Sequence, residues 1–143
     1  MAWQSSWQPY GLDRAAQKLV LQYRDRGVLN ESHKMRLAVA YGLERFWGEH
    51  LRFKGKTNPK QEDINKSDYW KATWDALVEI LKEANFTIPN DSVSVKDTKQ
   101  IQAMSEKLWT LSIEEQRIAI AVLTQLCDSL VWWTQRYKTR EVE

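Results

Sequence analysis

Apolar residues recur along this chain at the three- and four-residue spacing of helices that bury one side. Ala16, Leu19, Val20 and Tyr23 follow that rhythm, with Asp13 placed to cap a first helix and Gly27 placed to end it in the left-handed conformation. After the short Val28–Leu29–Asn30 link, the spacing predicts one longer helix from Asn30 to Lys54, capped by Asn30 or Ser32 and stopped at Gly55. Met35, Val39, Leu43, Phe46, Trp47 and Leu51 share one arc of it. Projected at about 100° per residue, Lys34, Arg45 and Arg52 fall within about 20° of one another on the opposite arc, with Lys56 close beyond if the last turn persists.

Gly55 to Lys66 mixes Gly, Asn-Pro and both charge signs without a hydrophobic period, which predicts an exposed loop that could order on binding. Ser67 or Asp68 then starts a third helix, in which Trp70, Trp74, Leu77, Val78 and Leu81 keep an i, i+4, i+7, i+8, i+11 rhythm up to Asn85. Residues 85–96, with Pro89, Asn90, Asp91 and two valines flanking Ser94, read as a second connection with room for a little extended structure. Asp97 and Gln100 resemble a capping arrangement for a fourth helix bearing Ile101, Met104 and Leu108. Ser112 and Glu115 form a cleaner capping box, because hydroxyl and carboxylate each satisfy an otherwise orphaned N–H. The fifth helix that begins there is apolar around most of its circumference: Ile118, Val122, Leu126, Leu130 and Trp133 on one side, widened by Ile120, Leu123, Cys127 and Val131. The pattern as a whole predicts an all-α fold, a single-domain bundle of about five helices over residues 1–143. Its first residues, 1–12, read as an irregular aromatic arm with Trp3, Trp7, Pro9 and Tyr10, whose two tryptophans are expected to pack back onto the domain in preference to inserting into a neighbouring subunit.

At 143 residues the chain suits one domain with a sizeable core. Eight tryptophans supply large apolar area, and simple burial accounts for most of them. One cysteine, Cys127, cannot form an intrachain disulfide, and with only His33 and His50 the sequence lacks the clustered ligands of a structural zinc site. Met1 to Tyr10 lacks a basic region followed by an apolar stretch, and no 18-residue apolar run occurs, so the expectation is a cytoplasmic protein without a membrane partner.

Charge alters this picture more than composition does. Residues 30–60 carry seven Lys/Arg against three acids, whereas residues 61–115 carry six against eleven, although the whole chain nets only +2. Such polarity suits a subunit that meets a polyanion on one face and basic neighbours, or its own copies, on another; a solvated surface of uneven charge is the simpler alternative.

No enzyme chemistry accompanies the basic stretch. Gly11, Gly27, Gly42, Gly48 and Gly55 are isolated and spell no phosphate-binding loop. No acidic pair sits in a setting that predicts a general acid. His50 reads as a core-edge histidine bonded to a backbone carbonyl or a carboxylate, and Cys127 as an inert buried thiol. The expectation is therefore no enzyme, no cofactor and no metal. Lys34, Arg45, Arg52, Lys54, Lys56 and Lys60 are the candidate contacts to a sugar-phosphate backbone, which would add salt-sensitive affinity without reading sequence. Arg136, Lys138 and Arg140 extend the candidate set, though complementing the negative end of the last helix explains them better. Arg36 and Arg117 lie off the main line.

The closing segment, IEEQRIAIAVLTQLCDSLVWWTQRYK from Ile113 to Lys138, resembles the terminal helix of the small all-helical subunits of CRISPR type III effector complexes. The resemblance is carried by Leu130-Val131-Trp132-Trp133 followed by Arg136 and Tyr137, an apolar helix ending in aromatics and a basic residue. It implies a non-catalytic antiviral-defence protein, stacked in several copies in a ribonucleoprotein and touching guide or target RNA through basic side chains, chiefly Lys34, Arg45 and Arg52. Its partners would be RNA, other effector-complex subunits and copies of itself. The rival expectation is a small helical adaptor that binds another protein through the aromatic arm and the apolar face of the fifth helix.

Overall fold

Helical periodicity produces helices throughout. A computed structural model describes residues 9–139, which form α1 (Pro9–Tyr23), α2 (Glu31–Ala38), α3 (Leu43–Lys54), α4 (Gln61–Glu83), α5 (Thr98–Trp109) and α6 (Ile113–Tyr137). Single 3-10 turns occupy Arg24–Arg26 and Val39–Tyr41, and no strand occurs among the described residues. The aromatic arm at Trp3 and Trp7 lies outside the described residues.

The all-α bundle matches the sequence expectation, with six helices among the described residues in place of about five because the expected Asn30–Lys54 helix is two. After α2 the chain tightens into the Val39–Tyr41 turn and reaches Gly42 at φ 97° and ψ 171°. That region of backbone space is essentially reserved for glycine, since a Cβ there collides with the chain's own carbonyls. The broken stretch still buries the expected arc: Met35, Val39, Leu43, Phe46 and Trp47 are all in the core, with Leu51 packed beside it.

Two helix starts fall earlier than the sequence suggested. The described chain is already helical at Pro9, so Asp13 lies inside α1 rather than capping it, and its carboxylate accepts from the Ser129 hydroxyl (2.7 Å) and the Trp133 indole N–H (3.0 Å) on α6. α4 begins at Gln61, leaving an exposed loop of only residues 55–60. Asp63 explains the shift: it accepts from the Lys60 backbone N–H (3.0 Å) and from Lys56 (2.7 Å), which satisfies the helix start before the apolar rhythm is visible. Ser67, an expected cap, is instead buried in mid-helix, donating to the His50 carbonyl at 2.7 Å.

The other ends follow their sequence signals. Gly27 is left-handed at φ 70°, and Gly55 closes α3 by donating its N–H to the Leu51 carbonyl at 2.8 Å. Asn85, also left-handed at φ 61°, ends α4 in a Schellman motif: Phe86 N–H donates to the Leu81 carbonyl and Asn85 N–H to that of Lys82. Asp97 accepts from Gln100 N–H at the start of α5, and Ser112 with Glu115 makes the full reciprocal box on α6.

α6 supplies the central stripe, Ala119, Val122, Leu123, Leu126, Cys127 and Leu130, and α1 and α2 pack on it while α3 packs mainly on α4. Of the six described tryptophans, Trp47, Trp70 and Trp74 are buried, Trp109 and Trp132 are exposed, and Trp133 is intermediate. Residues 85–97 are irregular yet pinned, with Ile88 buried and Trp74 donating to the Pro89 carbonyl (3.3 Å).

Candidate nucleic-acid interface

The cation line drawn along one rod does not exist as such, because the rod is interrupted at Gly42. The same three side chains nonetheless border one cavity of about 350 Å³ between α2 and α3, with Lys34 contributed by the first helix and Arg45 and Arg52 by the second. Leu37, Ala38 and Tyr41 form its apolar side, and Glu49 stands at the rim.

Lys34 is positioned from the core outward. Glu31 is buried; its Oε1 accepts the Trp70 indole N–H at 3.0 Å, and its Oε2 pairs with the Lys34 ammonium at 3.0 Å. The buried carboxylate is thus satisfied on both oxygens, which is the condition for keeping it inside at all. Arg52 pairs with Glu49 one turn earlier and lies over the Phe53 ring, 4.4 Å from its centroid. Arg45 differs from both. Its guanidinium sits 5.4 Å from the centroid of the Tyr41 ring and pairs with no carboxylate among the described residues. All three heads reach solvent; the Arg52–Glu49 pair is the weak, exchangeable kind, whereas Lys34 is held to a buried carboxylate.

The remaining candidates do not join this cavity. Lys54 pairs with Asp68 at 3.5 Å, and Lys56 with Asp63 at 2.7 Å, so part of the basic stretch is neutralised by the acidic one within the same molecule. The hydrogen bond from Lys56, followed by that from the Lys60 backbone, holds the Asp63 carboxyl below its usual range. Lys60 is exposed at the start of α4. Arg136 donates to the Trp132 carbonyl at 3.1 Å and lies 3.6 Å over its ring, which fits a residue answering the last carbonyls of α6. Lys138 is exposed just past that helix, and Arg140 lies outside the described residues. Arg36 is committed to Asp128 at 2.6 Å, and Arg117 is exposed on α6.

Sequence reasoning missed Leu37 and Tyr41, which are 71% and 67% exposed. The signal was present: on the projection that aligned the cations, both fall on the cationic arc, within about 80° of it, instead of the buried one.

Two groups that tempt a catalytic reading have ordinary surroundings. His50 is buried with Nδ1 against the Trp47 carbonyl; burial first, then the charges of Lys71 and Lys54, depresses its pKa. Protonation therefore favours the unfolded chain, and stability contributed at neutral pH declines as pH falls below about 6.5, the ordinary histidine value. Cys127 is buried in α6, and loss of hydration pushes its thiol up to about 12. The cavity can hold an anion beside an apolar or aromatic group, and neither His50 nor Cys127 lines it. Comparison with known proteins finds no match among family models, curated proteins or solved structures.

Proposed function

We propose that this chain is a non-catalytic subunit of a CRISPR type III ribonucleoprotein, repeated in several copies beside other effector subunits and contacting RNA backbone through Lys34, Arg45 and Arg52. The observation that carries the reading is the convergence of three solvent-reaching cations, from two helices separated by a break, on one cavity. The α6 sequence, with its aromatic and basic ending, adds the resemblance to the small subunits of those complexes. Changing all three cations to Glu should weaken RNA retention at low salt with helicity intact. In the unchanged protein, affinity should fall as salt rises, with a log–log slope steeper by up to about 2 than in the variant, on the basis of about 0.7 per single-strand phosphate neutralised. Undiminished RNA affinity in the triple variant at low salt would remove the proposal.

A second reading, a small helical adaptor, is favoured by exposed Trp109 and Ile113 on either side of the α5–α6 turn. The apolar face of α6 is unsuited to that role, since it is consumed by the molecule's own core. Partner binding that persists unchanged at high salt and is lost on Trp109→Ala would favour the adaptor.

A further inference from the structure

We infer that the α2–α3 cavity takes an unpaired nucleotide, its base laid on Tyr41, so that this face selects single-stranded RNA over duplex; the inference rests on the reading just given and deepens it. A cationic rim alone would suit any phosphate backbone. The apolar side of the cavity would not: Leu37 and Tyr41 stand more than half exposed beside it, and a phosphate gains nothing from either. A nucleobase gains from both, through a π-face on the tyrosine ring and an apolar contact with the leucine.

The surrounding groups fit that occupant. Arg45, 5.4 Å from the Tyr41 centroid and free of a carboxylate partner among the described residues, is placed to contact a base plane or the phosphate attached to it. Lys34 offers a point charge from the other helix, tethered to buried Glu31. Glu49 at the rim is already paired with Arg52, so Arg45 is the rim cation with no carboxylate to leave among the described residues when a phosphate arrives. Trp70 adds only apolar surface, because its N–H is committed to Glu31. In A-form duplex the bases are stacked on each other and present phosphates and 2′-hydroxyls, so a tyrosine on a shallow surface finds no open π-face.

The test uses the full chain and two fluorescent probes at fixed low salt: a short oligoadenylate, and an RNA duplex of the same length. The single strand should bind more tightly. Tyr41→Ala should weaken it roughly 5- to 150-fold, the range for one base–aromatic stack, and leave duplex binding unchanged, while Tyr41→Phe keeps single-strand affinity. A 2-aminopurine in the strand should be quenched by the unchanged protein and not by Tyr41→Ala. Equal weakening of both probes, or undiminished single-strand binding by Tyr41→Ala, overturns the inference; if the triple Glu variant still loses RNA, the broader reading survives that outcome. Retention of both probes by the triple variant overturns the two together.

Discussion

At the scale of single residues, Glu31 links the core to the surface. Its carboxylate is inside the bundle only because Trp70 and Lys34 satisfy its two oxygens. Glu31→Ala should leave the buried indole N–H without an acceptor and cost about 1–3 kcal/mol in denaturant unfolding, whereas Glu31→Gln retains an acceptor and should cost less. Lys34 would lose its tether in both variants, because a glutamine whose oxygen accepts from Trp70 turns its NH2, a second donor, toward the ammonium. On the proposed function the two should therefore differ in stability and not in RNA affinity when both are measured well below their unfolding midpoints. Equal stability of the two variants would mean that a water replaces the carboxylate oxygen. Ser32 behaves similarly without charge: its hydroxyl lies 2.6 Å from that of Tyr69 and 2.7 Å from that of Thr134, joining α2, α4 and α6 by three mutually satisfied hydroxyls.

At the scale of elements, the break at Gly42 decides how α2 and α3 present their side chains. No atom outside its chain neighbours lies within 4 Å of a Cβ added there, so the objection to a side chain is the backbone angle and not space. Gly42→Ala should therefore cost about 1–3 kcal/mol, read as a lowered thermal midpoint; an unchanged midpoint would show that the backbone relaxes toward a continuous helix. The sequence made most of the architecture legible. The burial of Met35, Val39, Phe46 and Trp47 follows from periodicity, as do Gly55 as a stop and Ser112 with Glu115 as a start. The break was not legible, because a lone glycine within a continuing apolar rhythm is compatible with either a tolerated helical residue or a joint, and only the joint needs φ 97°. The early start of α4 was hidden for a different reason: its first turn is held by Asp63 contacts from Lys56 and Lys60, polar interactions that leave no hydrophobic period. The same limit applied to the site. Lys34, Arg45 and Arg52 were found as a group, but on the premise of one straight rod, and their actual meeting across a break depends on packing that spacing alone does not encode.

At the scale of the whole molecule, the uneven charge of the sequence closes partly on itself. Asp68 lies 3.5 Å from both Arg26 and Lys54, and Asp63 receives Lys56, so acids of α4 draw in cations from the α1–α2 connection and from the end of α3 and the loop beyond it. Lys34 and Arg52 are paired too, with Glu31 and Glu49, and of the three rim cations Arg45 alone has no carboxylate partner among the described residues. No helix among the described residues is long and apolar enough to cross a membrane. The exposed 55–60 loop divides α1, α2 and α3 from α4, α5 and α6, yet α3 packs chiefly on α4, and α1 and α2 on α6. Each segment thus buries its apolar stripe mainly against the other. A protease nick in that loop should give two fragments on a denaturing gel and one peak in native gel filtration. If the pieces then reassemble after being denatured and mixed, the chain is a ready split reporter, able to signal when two fused partners bring its halves together.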